Sequence, residues 1–210
     1  EHIPFLYMAE NVKKAGVKQA VETVGGCFYP EDCEEIIASG KVDFVAMARS
    51  FISNPDYAQI LYEGRRDDLR PCLRCNKCHR SSPDAIWVSV CSVNPRWGFE
   101  HKEDKLTMPV EKEKKVAVVG GGPAGMEAAR VAAQRGHEVS LYEKKSSLGG
   151  LVSTARAFKG DHERLGDLVQ YLSRQQEVNG VEVVLDTEVT ADELKDLVAR
   201  YKEYYKTVFH

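Results

Sequence analysis

Apolar positions along the chain alternate between two periods, and the changes of period outline its elements. Residues 5–15 carry apolar side chains at helical spacing, and VKQAVETVGG (17–26) reads as a strand closed by two glycines. PEDCEEIIASG (30–40) predicts a short helix with proline at its start and glycine at its end. VDFVAMA (42–48) is a continuous apolar run, the pattern of a strand buried on both faces of a parallel sheet. A helix is expected to follow as far as about Leu61, with Asn54 as N-cap and Pro55 at its first position. This β-α-β-α order predicts a parallel α/β arrangement.

Periodicity fades over 70–108, and the charged stretch HKEDKLTMPVEKEKK (101–115) reads as a linker. It returns at Val116. VAVVG predicts a buried strand, GGGPAG a glycine turn, MEAARVAAQRG a helix, and HEVSLYE (137–143) a second strand. Leu165, Leu168, Val169 and Leu172 share one face of a further helix, and VEVVL (181–185) predicts another strand. Thr190 and Glu193 form a capping box for a last helix, with Leu194, Leu197, Val198 and Tyr201 expected to face inward. The expected division is 1–69, 70–108 and 109–210.

Composition narrows the function more than the fold. The 210 residues suit one or two domains, with 43% hydrophobic and 29% charged residues and a formal net charge of −3. No basic stripe interleaved with aromatics points to nucleic acid. No apolar run approaches the ~20 residues of a membrane span. EHIPFLYMAE lacks a basic, then apolar, leader, so the expected location is the cytoplasm, where thiols stay reduced and clustered cysteines serve metals.

Cys72, Cys75, Cys78 and Cys91 form C-x2-C-x2-C-x12-C. Soft thiolates suit zinc or an iron–sulfur cluster, and four ligands fit either. Zinc sites more often use two separated C-x2-C pairs, so the close triplet favours a 4Fe–4S centre. A zinc site of three cysteines with His79 is the rival, disfavoured because His79 adjoins Cys78. Cys27 and Cys33 are expected to be buried packing residues.

Gly120, Gly122 and Gly125 make G-x-G-x-x-G between a predicted strand and helix, with Ala124 inside the turn. Glu143 closes the second strand, 18 residues beyond Gly125. This is the dinucleotide pattern: glycines for the turn and for close backbone approach, a helix N-terminus for the pyrophosphate, and an acid for the ribose. Gly149 and Gly150 in KSSLGGLV form a second glycine pair and tip the expectation from NAD towards FAD, by the layout of flavoproteins.

The order VGG, VAMAR, NP, CxxCxxC, CSVNP, GFE, VAVVGGGPAG and LYEKKSSLGG resembles the iron–sulfur branch of the Old Yellow Enzyme family, the enzymes related to 2,4-dienoyl-CoA reductase and trimethylamine dehydrogenase. Its cysteine spacing is nearer the amine-dehydrogenase side. The resemblance implies an α/β chain of three parts: the last two βα units of an FMN-binding TIM barrel, a 4Fe–4S segment, and an incomplete Rossmann-like domain for FAD or ADP. It further implies that Gly25, Gly26 and Arg49 grip the FMN phosphate, and that NAD(P)H and a small-molecule substrate belong to the complete enzyme. The first six barrel units and the nicotinamide domain are missing from this pattern. The chain is therefore expected to be inactive alone, as a segment of a larger enzyme, one completed by a partner chain, or one that forms a homo-oligomer. The function so implied is an oxidoreductase acting on enones, enoyl thioesters or amines. The rival is a zinc-stabilised nucleotide-binding module without redox activity. No nucleophile–base constellation marks a catalytic residue.

Overall fold

The computed structural model describes residues 3–79, 89–196, 198 and 199. It falls into two compact units, one of residues 1–103 and 160–171, the other of 104–159 and 172–210.

In the first unit, helix α1 (Leu6–Lys14) leads to strand β1 (Glu22–Val24), helix α2 (Pro30–Ala38) and strand β2 (Phe44–Ala46). The strands are parallel, in register from Glu22 opposite Phe44 to Val24 opposite Ala46. Pro30 opens α2 because its missing N–H would have no partner there. Ile3, Ala9, Val21, Cys33, Ile36 and Val42 build the core between helices and strands, with Cys27 among them. Asp43 fastens the layer: its carboxylate accepts from the Val21 amide and the Lys13 ammonium, both at 2.7 Å. Contrary to the expectation of a strand buried on both faces, β2 is half-buried, and Phe44 and Val24 are exposed. Among the described residues the helices cover only one face of this pair.

The helix expected after Asn54 is present as α4 (Tyr57–Tyr62), starting two residues later than expected, with Asp56 rather than Asn54 at its N-cap, and a short helix α3 (Arg49–Ser53) precedes it. Pro55 forces the residue before it out of the helical region, and Asn54 is extended at φ −137°. Its side chain caps nothing. It pairs like a backbone amide with Arg70, donating to the carbonyl at 2.6 Å and accepting from the N–H at 2.8 Å. A second core of Phe28, Tyr57 and Leu69 lies beneath, with the Tyr57 hydroxyl donating to the Phe28 carbonyl. The stretch read as a linker holds helix α5 (Glu100–Thr107), a polar helix that no apolar period announces.

The second unit is a parallel sheet in the order β3 (Lys115–Val119), β4 (Glu138–Tyr142), β5 (Glu182–Val184). Helix α6 (Pro123–Gln134) connects β3 to β4 and packs on both, burying Met126 and Ala129 completely. Helix α7 (Gly150–Lys159) has no counterpart in the sequence pattern, because its large apolar residues Leu151 and Phe158 point to solvent and give no buried stripe. Helix α8 (Leu165–Val178) buries Leu165, Leu168 and Leu172, the face expected from its spacing, with Val169 half-buried. Its Gln176 is buried in the second unit and donates to the carbonyls of Met126 and Leu172.

Thr190 and Glu193 make the capping box, the Glu193 amide donating to Thr190 Oγ1 and the Thr190 amide to Glu193 Oε2, ahead of helical residues 191–196. Val198 is exposed rather than inward, Leu194 is half-buried, and Leu197 and Tyr201 lie outside the described residues. No described helix is long and apolar enough to cross a membrane.

Candidate functional site

In the second unit the chain leaves β3 at Gly120, and Gly122 is the N-cap residue of α6 with Pro123 behind it. A side chain at Gly125 would drive its Cβ into the Gly120 carbonyl oxygen, so only glycine lets helix and turn close on each other. A Cβ at Gly122 would meet nothing within 4 Å, so the space in front of the helix N-terminus is open. Spacing does not single out Gly121, yet its position is tight: a Cβ there would run into Leu148 Cδ2 and stand 3.1 Å from the Glu143 side chain.

Glu143 is buried and holds this turn together. Its Oε2 accepts the Gly121 amide at 2.6 Å, and its Oε1 accepts the Lys145 amide at 2.9 Å. The Lys145 amide is the main reason its carboxyl titrates below the usual range; burial opposes the shift and the Gly121 amide adds to it. Each oxygen keeps a lone pair for another donor. The second glycine pair closes on the first: Gly149 donates to the Gly121 carbonyl at 2.8 Å, and a Cβ on Gly150 would stand 3.0 Å from Gly122 Cα. The predicted nucleotide residues Gly120, Gly122, Ala124, Gly125, Glu143, Gly149 and Gly150 are thus gathered at one end of the β3–β4 pair.

In the first unit, Cys72, Cys75, Cys78 and Cys91 line one hollow, together with Ile52, Leu73 and Val93. The loop reaches this arrangement through left-handed backbone at Arg74 and Asn76, φ 54° and 56°, on either side of Cys75. Such conformations are costly for arginine and persist where the surroundings impose them. Burial raises the Cys78 thiol, and the neighbouring Cys72 and Cys91 raise it further. Burial is the largest influence on Cys75 and opposes its ionisation, yet bonds from the Ser92 hydroxyl and the Lys77 amide bring it below the ordinary thiol value. Among the described residues no three His, Cys, Asp or Glu side chains are arranged to hold a single metal ion. Four soft thiolate donors lining one hollow are the donor set that a thiolate-bound metal centre takes. Asn94 supports the segment from below: it is buried, donates to the Ile52 carbonyl at 2.7 Å, and accepts from the Arg96 amide at 3.1 Å.

Beside the hollow is a cavity of about 460 Å³ at the ends of β1 and β2. Gly25, Gly26 and Arg49 line it, as do Arg74, His79 and Arg164, and no carboxylate lines it among the described residues. Arg49, Cys72 and Asn76 belong to the walls of both spaces. Arg49 donates to Asn76 Oδ1 at 2.7 Å, so it is held by the cysteine loop rather than by the surface ion pair it could have made.

Sequence spacing gives no sign of Arg164. Its guanidinium lies 4.6 Å from the ring centres of both Phe28 and Tyr29, and burial lowers its pKa. Tyr29 donates to Asp167 at 2.5 Å, and its phenol is pushed up to about 12 by burial and by that bond. Cys27 and Cys33 lie in the core, as expected; the hydrogen bond between them and their burial raise the Cys33 thiol.

Residues 4–68 match the NADH:flavin oxidoreductase / NADH oxidase family, and residues 118–181 match the NAD(P)-binding Rossmann-like domain. Residues 4–68 thus belong to the NADH:flavin oxidoreductase family. The chain is 45% identical over 157 residues to an NADH oxidase of Thermoanaerobacter brockii, covering 74% of this chain and 24% of the relative. The structure of a 2-naphthoyl-CoA reductase superposes with a TM-score of 0.83 at 37% identity, over 91% of this chain and 29% of that one. Histamine dehydrogenase from Rhizobium sp. 4-9 superposes with a TM-score of 0.75 at 28% identity, over 90% of this chain and 28% of that one. The chain thus spans between 24% and 29% of the length of these relatives. The segment that matches the flavin oxidoreductase family precedes the one that matches the Rossmann-like domain.

Proposed function

We propose that this chain is the electron-transfer portion of an iron–sulfur flavoprotein oxidoreductase, linking NAD(P)H and FAD, through a 4Fe–4S cluster, to FMN. The observation that carries the reading is the shared wall: Arg49, Cys72 and Asn76 line both the four-thiol hollow and the arginine-lined cavity. Residues 1–69 supply the end of an FMN-binding barrel, 70–108 the cluster segment and 109–210 an incomplete FAD- or ADP-binding domain.

A bound cluster supplies one-electron transfer, which suits it to join two flavins. The chain's own residues bind and orient. Cys72, Cys75, Cys78 and Cys91 provide the four thiolates. Gly25 and Gly26 bring backbone to the FMN phosphate while Arg49 offers its charge, with Arg74 and Arg164 adding positive potential in a cavity lined by no acid among the described residues. The open N-terminus of α6 receives a pyrophosphate, and Glu143 accepts from the ribose hydroxyls. A 2-naphthoyl-CoA reductase and a histamine dehydrogenase among the relatives support enoyl thioesters, enones and amines as the substrate range of the complete enzyme.

Anaerobic purification tests this. The protein is expected to be brown, with about four irons per chain and matching acid-labile sulfide. Colourless protein with one zinc per chain would instead establish the non-redox, zinc-stabilised alternative.

A further inference from the structure

Ser92 Oγ lies 3.2 Å from Cys75 Sγ. Ser92 directly follows Cys91, so this contact ties the distant fourth cysteine segment to the middle of the triplet. Either atom can donate while Cys75 is a thiol. A metal-bound thiolate carries no proton and can only accept, so the hydroxyl must then be the donor.

We propose that Ser92 is a positioning residue that sets the reduction potential of the iron–sulfur site, its hydroxyl donating to the Cys75 sulfur and favouring the reduced, more negative state. The proposal rests on the cluster reading above. Hydrogen bonds to ligand sulfurs are among the levers that fix the potential of such centres, because they draw charge away from the cluster. Cys75 is the cysteine that carries this hydroxyl contact; it is exposed, whereas Cys72, Cys78 and Cys91 are half-buried. Its sulfur is also aimed by its neighbours, since Arg74 and Asn76 hold left-handed backbone on either side. The donor is aimed as well. Two residues beyond Ser92, buried Asn94 is bonded to the Ile52 carbonyl and the Arg96 amide, which fixes the backbone that presents the hydroxyl. A water at an exposed sulfur would have to be ordered at each encounter, whereas Ser92 is ordered by the fold.

The test compares the cluster-loaded parent chain with Ser92→Ala, Ser92→Thr and Ser92→Val by iron content and by spectroelectrochemical titration. All four are expected to hold the same iron. At a fixed applied potential, Ser92→Ala and Ser92→Val should show a reduced-to-oxidised ratio about tenfold below the parent, equivalent to 59 mV for one electron. Ser92→Thr should match the parent. Threonine and valine have nearly the same shape, so their difference isolates the hydroxyl and decides the matter if Ser92→Ala loses iron. Equal potentials in the threonine and valine variants would overturn the proposal. A parent chain that takes up no iron would overturn the cluster reading itself, and this inference with it.

Discussion

Gly149 donates its backbone N–H to the carbonyl of Gly121 at 2.8 Å, which bolts the second glycine pair to the first glycine turn. The two loops therefore act as one surface, and substitutions within it separate into those that meet open space and those that meet backbone.

Gly122→Val and Gly125→Ala should fail for opposite reasons. The Gly122 Cβ direction is open and its φ of −75° suits any residue, so the valine variant should fold with little change in melting temperature. It should lose FAD or ADP binding by calorimetry, because the side chain occupies the approach to the phosphates. Gly125→Ala drives a Cβ against the Gly120 carbonyl and should cost about 1–3 kcal/mol in denaturant unfolding.

Glu143 gives the nucleotide unit a pH dependence of known sign. Its carboxyl titrates below the ordinary value, so the folded state keeps it ionised where the unfolded chain has begun to bind a proton. That stabilisation is complete above the unfolded carboxylate pKa of about 4.3 and is lost as pH falls through the lower folded value. Glu143→Gln turns an NH2 group towards one of two amide donors and should cost about 1–3 kcal/mol at neutral pH. Unfolding curves from pH 7 to pH 3 should show a flatter acid limb in this variant than in the parent.

Iron content should sort the six cysteines into two classes. Serine at Cys72, Cys75, Cys78 or Cys91 should lower iron per chain, with the fold of the nucleotide unit intact by circular dichroism. Cys27→Ser and Cys33→Ser should retain iron, yet melt earlier, because each places a hydroxyl in the apolar core between α2 and the strands.

Arg164→Met should weaken the first unit without touching the cysteines. The methionine keeps much of the aliphatic length but removes the charge held over Phe28 and Tyr29. A loss of about 1–2 kcal/mol is expected from two partly desolvated cation–π contacts, read by thermal unfolding. Arg164→Lys should restore only part of it, since an ammonium lacks the planar face that stacks on aromatic rings.

What is legible in the chain and what is not follows from the range over which each signal acts. β3, α6 and β4 are legible because an apolar run, a glycine turn and an alanine-rich helix are local patterns, although β3, expected to be buried, alternates between exposed and half-buried residues. The face of α8 is legible because Leu165, Leu168 and Leu172 are buried on one side. α7 is hidden because Leu151 and Phe158 face solvent, and α5 because it is polar. Asn54 misleads because its amide serves Arg70, a partner that local spacing does not reveal. The same holds for the candidate sites. The four cysteines and the glycine turn announce themselves by spacing. Ser92, Arg74 and Arg164 join them only through folding, and Arg164 reaches Phe28 and Tyr29 from beyond the first glycine-turn segment.

The side chains common to the hollow and the cavity carry one more consequence. Cys72 is at once a proposed ligand and part of the wall common to both spaces, so on the proposed reading the two redox groups are neighbours within one folded unit. Their exchange would then be intramolecular, independent of protein concentration and of encounter frequency.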